Sequence, residues 1–225
     1  MEDRYSRNIP AVSQEDMEKL RRSSALVAGC GGLGGFIAEY LARMGIGAIT
    51  AVDGDAFCES NLNRQLLSRA DNMGENKALA AKQRIALINP DVRVHAVPEF
   101  LTEENASRLM EGADIVVDAL DNVHARHILE DAATQAGLAI VHGAICGWDL
   151  QVMLVRPGTR MLHQLYPEGS APGTKTSLPF TPAACAALQV SMAVRYLCGR
   201  GTEQDGDLFI GSLKDLSFES VHLGD

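Results

Sequence analysis

Five short stretches hold the residue types that could carry chemistry. Gly29-Cys30-Gly31-Gly32-Leu33-Gly34 comes first, followed by Asp53-Gly54-Asp55 and by Ser60-Asn61-Leu62-Asn63-Arg64-Gln65. Gly74-Glu75-Asn76-Lys77 and Asp118-Ala119-Leu120-Asp121-Asn122 complete the set. In the glycine cluster, Gly29 permits a tight turn, Gly31 and Gly32 let a phosphate reach the backbone, and Gly34 lets a helix pack closely on a strand. The N–H groups at the start of that helix, with the positive end of its dipole, favour an anion. Asp53 stands 19 residues after Gly34 and suits a ribose hydroxyl pair. The glycines alone fit NAD, FAD or ATP equally. Arg64 and Lys77 beside a nucleotide suggest a triphosphate, whose charge grows as a phosphoanhydride breaks. Asp121 beside them suggests Mg²⁺, which prefers one or two carboxylates plus phosphate oxygens. Taken singly, Arg64 reads as a surface ion pair, Lys77 as a solvated helix residue and Asp121-Asn122 as a helix cap. Their joint order behind the glycine turn is what points to a site.

Groups so far apart in sequence meet only if the elements between them bring them together. Ser13 caps a short amphipathic helix, with Asp16 near the capping-box position. Ala25 to Ala28 is a compact apolar run ending at Gly29 and predicts a buried strand. A helix over Leu33 to Met44 and a strand over Ala48 to Val52 follow. Further helices are expected over Gly74 to Ile88, Thr102 to Met110 and Val123 to Gln135, and strands over Val92 to Val97, Asp114 to Asp118 and Ala139 to Val141. Strand and helix in alternation imply parallel strands joined by helical crossovers, a doubly wound sheet. Every candidate segment then falls at or just past the carboxyl end of a strand, where such sheets bind ligands. The pattern changes near Trp148. A strand over Gln151 to Val155 precedes an aperiodic stretch from Pro157 to Pro182, read as a long functional or mobile loop. An apolar helix from Ala183 to Leu197 and two short strands near Leu208 to Leu213 and Leu216 to Val221 close the chain. The expected organisation is one domain over 1–225: an arm and helix to 24, a nucleotide-binding core over 25–156, a flexible crossover-type loop over 157–181, and a C-terminal helix and strands over 182–225.

The chain has 225 residues and a formal net charge of −9, a balance that disfavours nucleic-acid binding as its main business. No apolar run reaches the length of about 18–20 residues needed to span a bilayer. Met1-Glu2-Asp3-Arg4 carries no basic-then-apolar leader pattern, so a cytoplasmic location is expected. The five cysteines, Cys30, Cys58, Cys146, Cys185 and Cys198, include no C-x-x-C pair, so neither a four-cysteine zinc site nor a disulfide framework is expected.

These motifs, taken in order, resemble the ThiF/MoeB/HesA family, prokaryotic relatives of ubiquitin-activating enzymes. Arg4-Tyr5-Ser6-Arg7-Asn8 is similar to its R-Y-x-R-Q, Gly29 to Gly34 to its G-x-G-G-L-G, and Asp53 to Gln65 to its D-x-D-x-[VI]-x-x-S-N-x-x-R-Q, with Phe57 at the V/I place. Gly74 to Lys77 and Asp121-Asn122 match its G-x-x-K and D-N. The resemblance implies a Rossmann-like, mostly parallel sheet with an N-terminal helical arm and C-terminal antiparallel strands. It implies a nucleotide site built from Gly29, Gly31, Gly32, Gly34, Asp53, Asp55, Ser60, Asn61, Arg64, Lys77, Asp121 and Asn122. Within that site Gly32 would touch nucleotide, Asp53 would bind ribose, Asn61, Arg64 and Lys77 would hold phosphates, and Asp121 would ligate Mg²⁺. Arg7 would reach into the active site of a second subunit of a homodimer. The implied activity is adenylation, with ATP, of the C-terminal glycine carboxylate of a small ubiquitin-like sulfur carrier, so Arg7, Arg64, Lys77 and Asp121 would be the catalytic set.

Three departures stand beside the resemblance. The paired zinc cysteines of many members are absent, the stretch Gln164 to Phe180 holds no cysteine nucleophile, and the segment before the last helix lacks the family's common glycines. Cys185 is the nearest thiol, and a core role suits it better than a nucleophilic one. The competing reading within the superfamily is an ATP-dependent dehydratase of threonylcarbamoyl-modified tRNA, whose substrate would favour a basic surface. An NAD-dependent oxidoreductase leaves Arg64, Lys77 and Asp121 unexplained. A non-catalytic partner-binding module leaves the intact charged set unexplained.

Overall fold

The computed structural model describes residues 3–169, 176–201 and 206–223. Among the described residues, eight strands form one sheet in the order β3-β2-β1-β4-β5-β6-β7-β8. The first five, β1 (Ser24–Ala28), β2 (Ala48–Val52), β3 (Arg93–Val97), β4 (Ile115–Asp118) and β5 (Ile140–Cys146), pair in parallel. The last three, β6 (Asp149–Val155), β7 (Leu208–Ser212) and β8 (Ser217–Val221), continue the sheet antiparallel from β5.

Period-two burial of β1 explains the layering. Ala25 and Val27 face a core closed by α2 (Gly34–Met44), α3 (Lys77–Ile88) and α7 (Phe180–Leu197). Leu26 and Ala28 face a second core closed by α4 (Glu103–Met110), α5 (Val123–Ala136) and α6 (Met161–Leu165). Both sides of the strand are apolar because both are covered, as expected of a parallel sheet between two helical layers.

The N-terminal arm is a 3-10 helix, Asp3–Asn8, followed by α1 (Gln14–Arg22). Ser13 caps α1 by accepting from the Asp16 amide at 3.1 Å. Tyr5 lies against Gly45, the αL residue ending α2, and its hydroxyl accepts from Asn89 Nδ2 at 2.6 Å. Arg4 bonds Asn89 and pairs with Asp91 at 3.1 Å.

Most boundaries agree with the sequence-based expectation to within two residues, and four differences have a clear physical reason or a larger size. The helix expected from Gly74 starts at Lys77, because Gly74 is αL (φ +84°) and Asn76 is the cap, accepting from the Ala78 and Leu79 amides. The strand expected to end at Val141 runs to Cys146 and turns through Gly147 into β6, so the change of pattern near Trp148 is a tight hairpin. The expected loop from Pro157 contains α6, whose first amides, Leu162 and His163, are held by the Glu130 carboxylate at 2.9 and 3.0 Å. The helix expected from Ala183 begins three residues earlier, at Phe180. Part of the 157–181 stretch, 170–175, lies outside the described residues.

Candidate active site

The site sits past the carboxyl ends of β1, β2 and β4. Gly29 ends β1 in a left-handed conformation (φ +93°), and a methyl group there would lie 2.7 Å from the Ala119 carbonyl oxygen. A methyl on Gly34 would lie 1.8 Å from the Gly29 oxygen, so only glycine lets α2 start this close to the strand. Gly31 and Gly32 are different. A methyl on either would meet nothing nearer than 3.5 Å, where it would face the Gln65 side chain and Pro182 respectively. The two inner glycines are therefore not crowded: a methyl on either would make only ordinary contact, and both are partly exposed at the N-terminus of α2. Leu33 makes no side-chain cap there, and the first turn of the helix has no acidic residue. An uncapped helix start beside accessible backbone has the geometry that can receive a phosphate.

Asp53 braces this loop. Its carboxylate accepts from the Cys30 amide at 2.7 Å and the Asp55 amide at 2.8 Å. Burial pushes its pKa up, against the lowering by those two amides and by Lys77. Lys77 is only 7% exposed, and its Nζ donates to Asp55 Oδ2 at 2.9 Å. The segment holding Asp53 and Asp55 is stitched to the start of α3 by Asn76, which donates to the Asp53 and Asp55 carbonyls at 2.9 and 3.1 Å. Arg64 follows a short 3-10 helix, Glu59–Asn61, and its guanidinium donates to the Ser60 carbonyl at 2.8 Å and Asn63 Oδ1 at 2.9 Å. Asp121 is exposed just beyond β4. The structure thus brings the glycine turn, Asp53, Asp55 and Lys77 together.

Other expected residues have structural duties in this conformation. Asn61 is buried and its Oδ1 accepts from the Cys58 amide at 3.1 Å. The Ser60 hydroxyl lies 3.2 Å from Cys58 Sγ. Asn122 caps α5, accepting from the Ala125 amide at 2.8 Å. Gln65, part of the motif but without an assigned role, is 7% exposed beside Gly31, and its Oε1 has no hydrogen-bond partner among the described residues. Such an orphaned acceptor beside an accessible backbone fits a site completed by a ligand.

Arg7 is not brought to this site by its own chain. The arm is pinned at Gly45, one full α2 away from the glycine turn. Eleven residues of helix at about 1.5 Å each separate them by roughly 16 Å. Cys185, the thiol next in sequence after the Gln164 to Phe180 stretch, is fully buried and burial pushes it up to about 12, so it sits in the core as an apolar side chain.

Sequence reading missed a buried polar cluster directly beneath the Asp121 turn. Asp118 and His142 have no exposed surface. His142 Nδ1–H donates to Asp118 Oδ2 at 2.7 Å, and Arg126 Nε lies 3.2 Å from the same oxygen. Tyr166 lies 3.1 Å from His142 Nε2 and accepts from Gln151 Nε2 at 2.6 Å, while the Arg126 guanidinium lies 4.7 Å over its ring. The signal was faint. Asp118 was read only as the end of a strand, and its partners come from three other elements.

Fold and site together define a doubly wound α/β protein with a cationic and acidic rim past the carboxyl ends of its parallel strands. The chain belongs to the ThiF family, whose model matches residues 5–225. It is 37% identical to the sulfur carrier protein adenylyltransferase of Thermus thermophilus, over 97% of this chain and 86% of that protein. It is 35% identical to the SAMP-activating enzyme E1 of Haloferax volcanii, over 97% of this chain and 84% of that one. Among solved structures, E. coli MccB with ATP shares the fold at a TM-score of 0.81 and 21% identity, covering 100% of this chain and 72% of that one. Among the described residues, no helix is long and apolar enough to cross a membrane.

Proposed function

We propose that this chain is an ATP-dependent adenylyltransferase acting on the C-terminal glycine carboxylate of a small ubiquitin-like sulfur carrier. The observation that carries the reading is the uncapped start of α2 beside accessible Gly31 and Gly32, on the same end of the sheet as Lys77, Arg64 and Asp121. The names of relatives at 35–37% identity support the substrate class.

In the reaction one carboxylate oxygen of the carrier attacks the α-phosphorus of ATP. A carbon–oxygen–phosphorus anhydride forms, the bond to the β-phosphate oxygen breaks, and pyrophosphate leaves with the electron pair. No protein nucleophile is required. The chain's work is positioning and charge neutralisation. The Gly31 and Gly32 backbone and the α2 N-terminus receive phosphate. Asp53, already aligned by two amides, presents its remaining lone pairs to ribose. Lys77 exchanges Asp55 for phosphate oxygens, and Arg64 turns from Ser60 and Asn63 toward them. Asn61 keeps the turn that carries Arg64. Among the described residues no cluster of three or more His, Cys, Asp or Glu could cage a metal alone. A single carboxylate completed by phosphate and water suits Mg²⁺, so Asp121 would hold it, and it would neutralise phosphate charge.

Arg7 of a second copy completes the site, since its own arm is fastened at the far end of α2. The protein then works as a homodimer with shared sites.

The test is exchange of labelled pyrophosphate into ATP with Mg²⁺ and Gly-Gly-tailed carriers. Exchange that depends on the carrier is the expected result. Exchange only with threonylcarbamoyl-modified tRNA would replace the reading with the dehydratase one, and tighter binding of NAD than ATP by calorimetry would end both.

A further inference from the structure

We infer that His142 and Tyr166 are positioning residues that hold the Asp121 turn through Asp118 and Arg126. The inference rests on the adenylation reading above for what Asp121 does, and on contacts alone for what holds it.

The turn is gripped at Leu120, through the peptides on its two sides. The Leu120 amide donates to Asp118 Oδ1 at 2.9 Å, and the Leu120 carbonyl accepts from Arg126 Nη2 at 2.7 Å. Asp121 is the next residue, and its Cα goes where the second of these peptides goes. The same turn touches the phosphate loop, because the Ala119 amide donates to the Ala28 carbonyl and the Ala119 carbonyl stands against Gly29. The Asp118 main chain is fixed independently by Gln189 Nε2, which donates to its carbonyl at 2.8 Å. Besides the Leu120 amide, the Asp118 carboxylate faces Arg126 Nε and His142 Nδ1, and His142, at 2.7 Å, is its closest side-chain partner.

The acceptor at Asp118 sets the hydrogen-bond order around His142. Asp118 is an acceptor, so Nδ1 carries the proton. Gln151 Nε2 donates to the Tyr166 oxygen at 2.6 Å, leaving the Tyr166 hydroxyl proton for His142 Nε2 at 3.1 Å. The chain runs Gln151 to Tyr166 to His142 to Asp118 to the Leu120 amide, each donor facing an acceptor. Gln151 Nε2 also stands 3.2 Å from His142 Nε2. Arg126, stacked on the Tyr166 ring, closes the circuit at the Leu120 carbonyl. Tyr166 belongs to the stretch between α6 and α7 and the other members to the sheet and α5, so the cluster also ties that stretch to the Asp121 turn.

Partners that hold a metal ligand in place typically change metal affinity or activity 10- to 100-fold when removed, and His142 and Tyr166, acting through Asp118 and Arg126, are expected at the lower end of that range. Three variants rank the effect. His142→Leu removes both bonds, Tyr166→Phe removes only the outer one, and His142→Asn keeps a donor near the Nδ1 position. Amide exchange by NMR in the ligand-free protein is the first readout. The Leu120 amide should exchange roughly tenfold or more faster in His142→Leu, less so in Tyr166→Phe, and close to wild type in His142→Asn, with β1 and β2 amides unchanged. Calorimetry of ATP binding is the second. The extra affinity conferred by Mg²⁺ should fall by about tenfold in His142→Leu, while Mg²⁺-free ATP binding stays constant. If His142→Leu does not fold, Tyr166→Phe carries the test. Unchanged Leu120 exchange in Tyr166→Phe and His142→Leu, or equal loss of Mg²⁺-free binding, overturns the inference. Loss of carrier-dependent exchange in the wild type would instead overturn the adenylation reading, and the Leu120 amide would still report on the clamp.

Discussion

The rim of the site and the cluster beneath it use the same residue types in opposite ways. At the rim, Arg64 and Lys77 are bound to partners they can leave: a loop carbonyl, an amide oxygen and the exposed Asp55. Below it, burial pushes the Asp118 carboxyl up, but Arg126 and His142 outweigh it and hold the group below the usual carboxylate range. Burial pushes the His142 imidazole down, and Asp118 offsets this only in part. The arrangement is therefore an ionised Asp118 balanced by Arg126, with a neutral His142 between Asp118 and Tyr166. Groups that meet a transient charge keep replaceable partners, whereas groups that set geometry are sealed where their bonds are hard to trade.

The largest expected effect breaks the rim without touching the cluster. Arg7→Ala should lower pyrophosphate exchange by about 10³-fold, as for an arginine finger, and leave stability within about 0.5 kcal/mol because the residue is exposed. Mixing Arg7→Ala with Asp121→Ala should restore activity to at most about a quarter of wild type, since half the dimers are mixed and each has one intact site. No recovery in mass-verified mixed dimers would confine Arg7 to its own chain. The converse change strikes the cluster. Asp118→Ala leaves the Arg126 charge buried without its counter-ion and should cost about 3–5 kcal/mol in denaturant unfolding; a loss under 1 kcal/mol would mean the cluster is not desolvated as described.

A smaller effect appears with pH. His142 faces Asp118, Arg126, Tyr166 and, further off, Glu130. Folding lowers its proton affinity, so the unfolded chain binds more protons and stability falls as pH drops below the ordinary value near 6.5. Calorimetric melts should therefore shift down between about pH 7 and 5.5, and shift less in His142→Asn. The smallest effect is expected at the core thiol. Cys185→Ala should retain carrier-dependent exchange within about twofold, and native protein should resist alkylation there, because the thiol is buried and protonated.

The sequence made the rim legible because its residues lie in short local patterns, each with its own physical logic. The alternation of strands and helices and the glycine turn placed them on one end of the sheet, as the structure has it. Boundaries slipped where a local bond overrode periodicity. Asn76 delayed α3, and Glu130, a residue on α5, nucleated α6 inside an apparent loop by binding its first amides. The buried cluster was illegible for a related reason. Asp118, His142, Gln151 and Tyr166 lie far apart in the chain and show no spacing rule, so only the registers of β4, β5 and β6 bring them into contact.

The central claim is that a carrier carboxylate oxygen attacks the α-phosphorus of ATP at this site. It is tested most directly with a Gly-Gly-tailed carrier whose terminal carboxylate is labelled with ¹⁸O. After incubation with enzyme, ATP and Mg²⁺, hydroxylamine traps the acyl group at its carbonyl carbon. The account predicts that the released AMP carries one ¹⁸O from the carboxylate, that the carrier becomes a hydroxamate, and that Lys77→Ala suppresses both. AMP formed without the label, or no AMP unless modified tRNA is supplied, would contradict it.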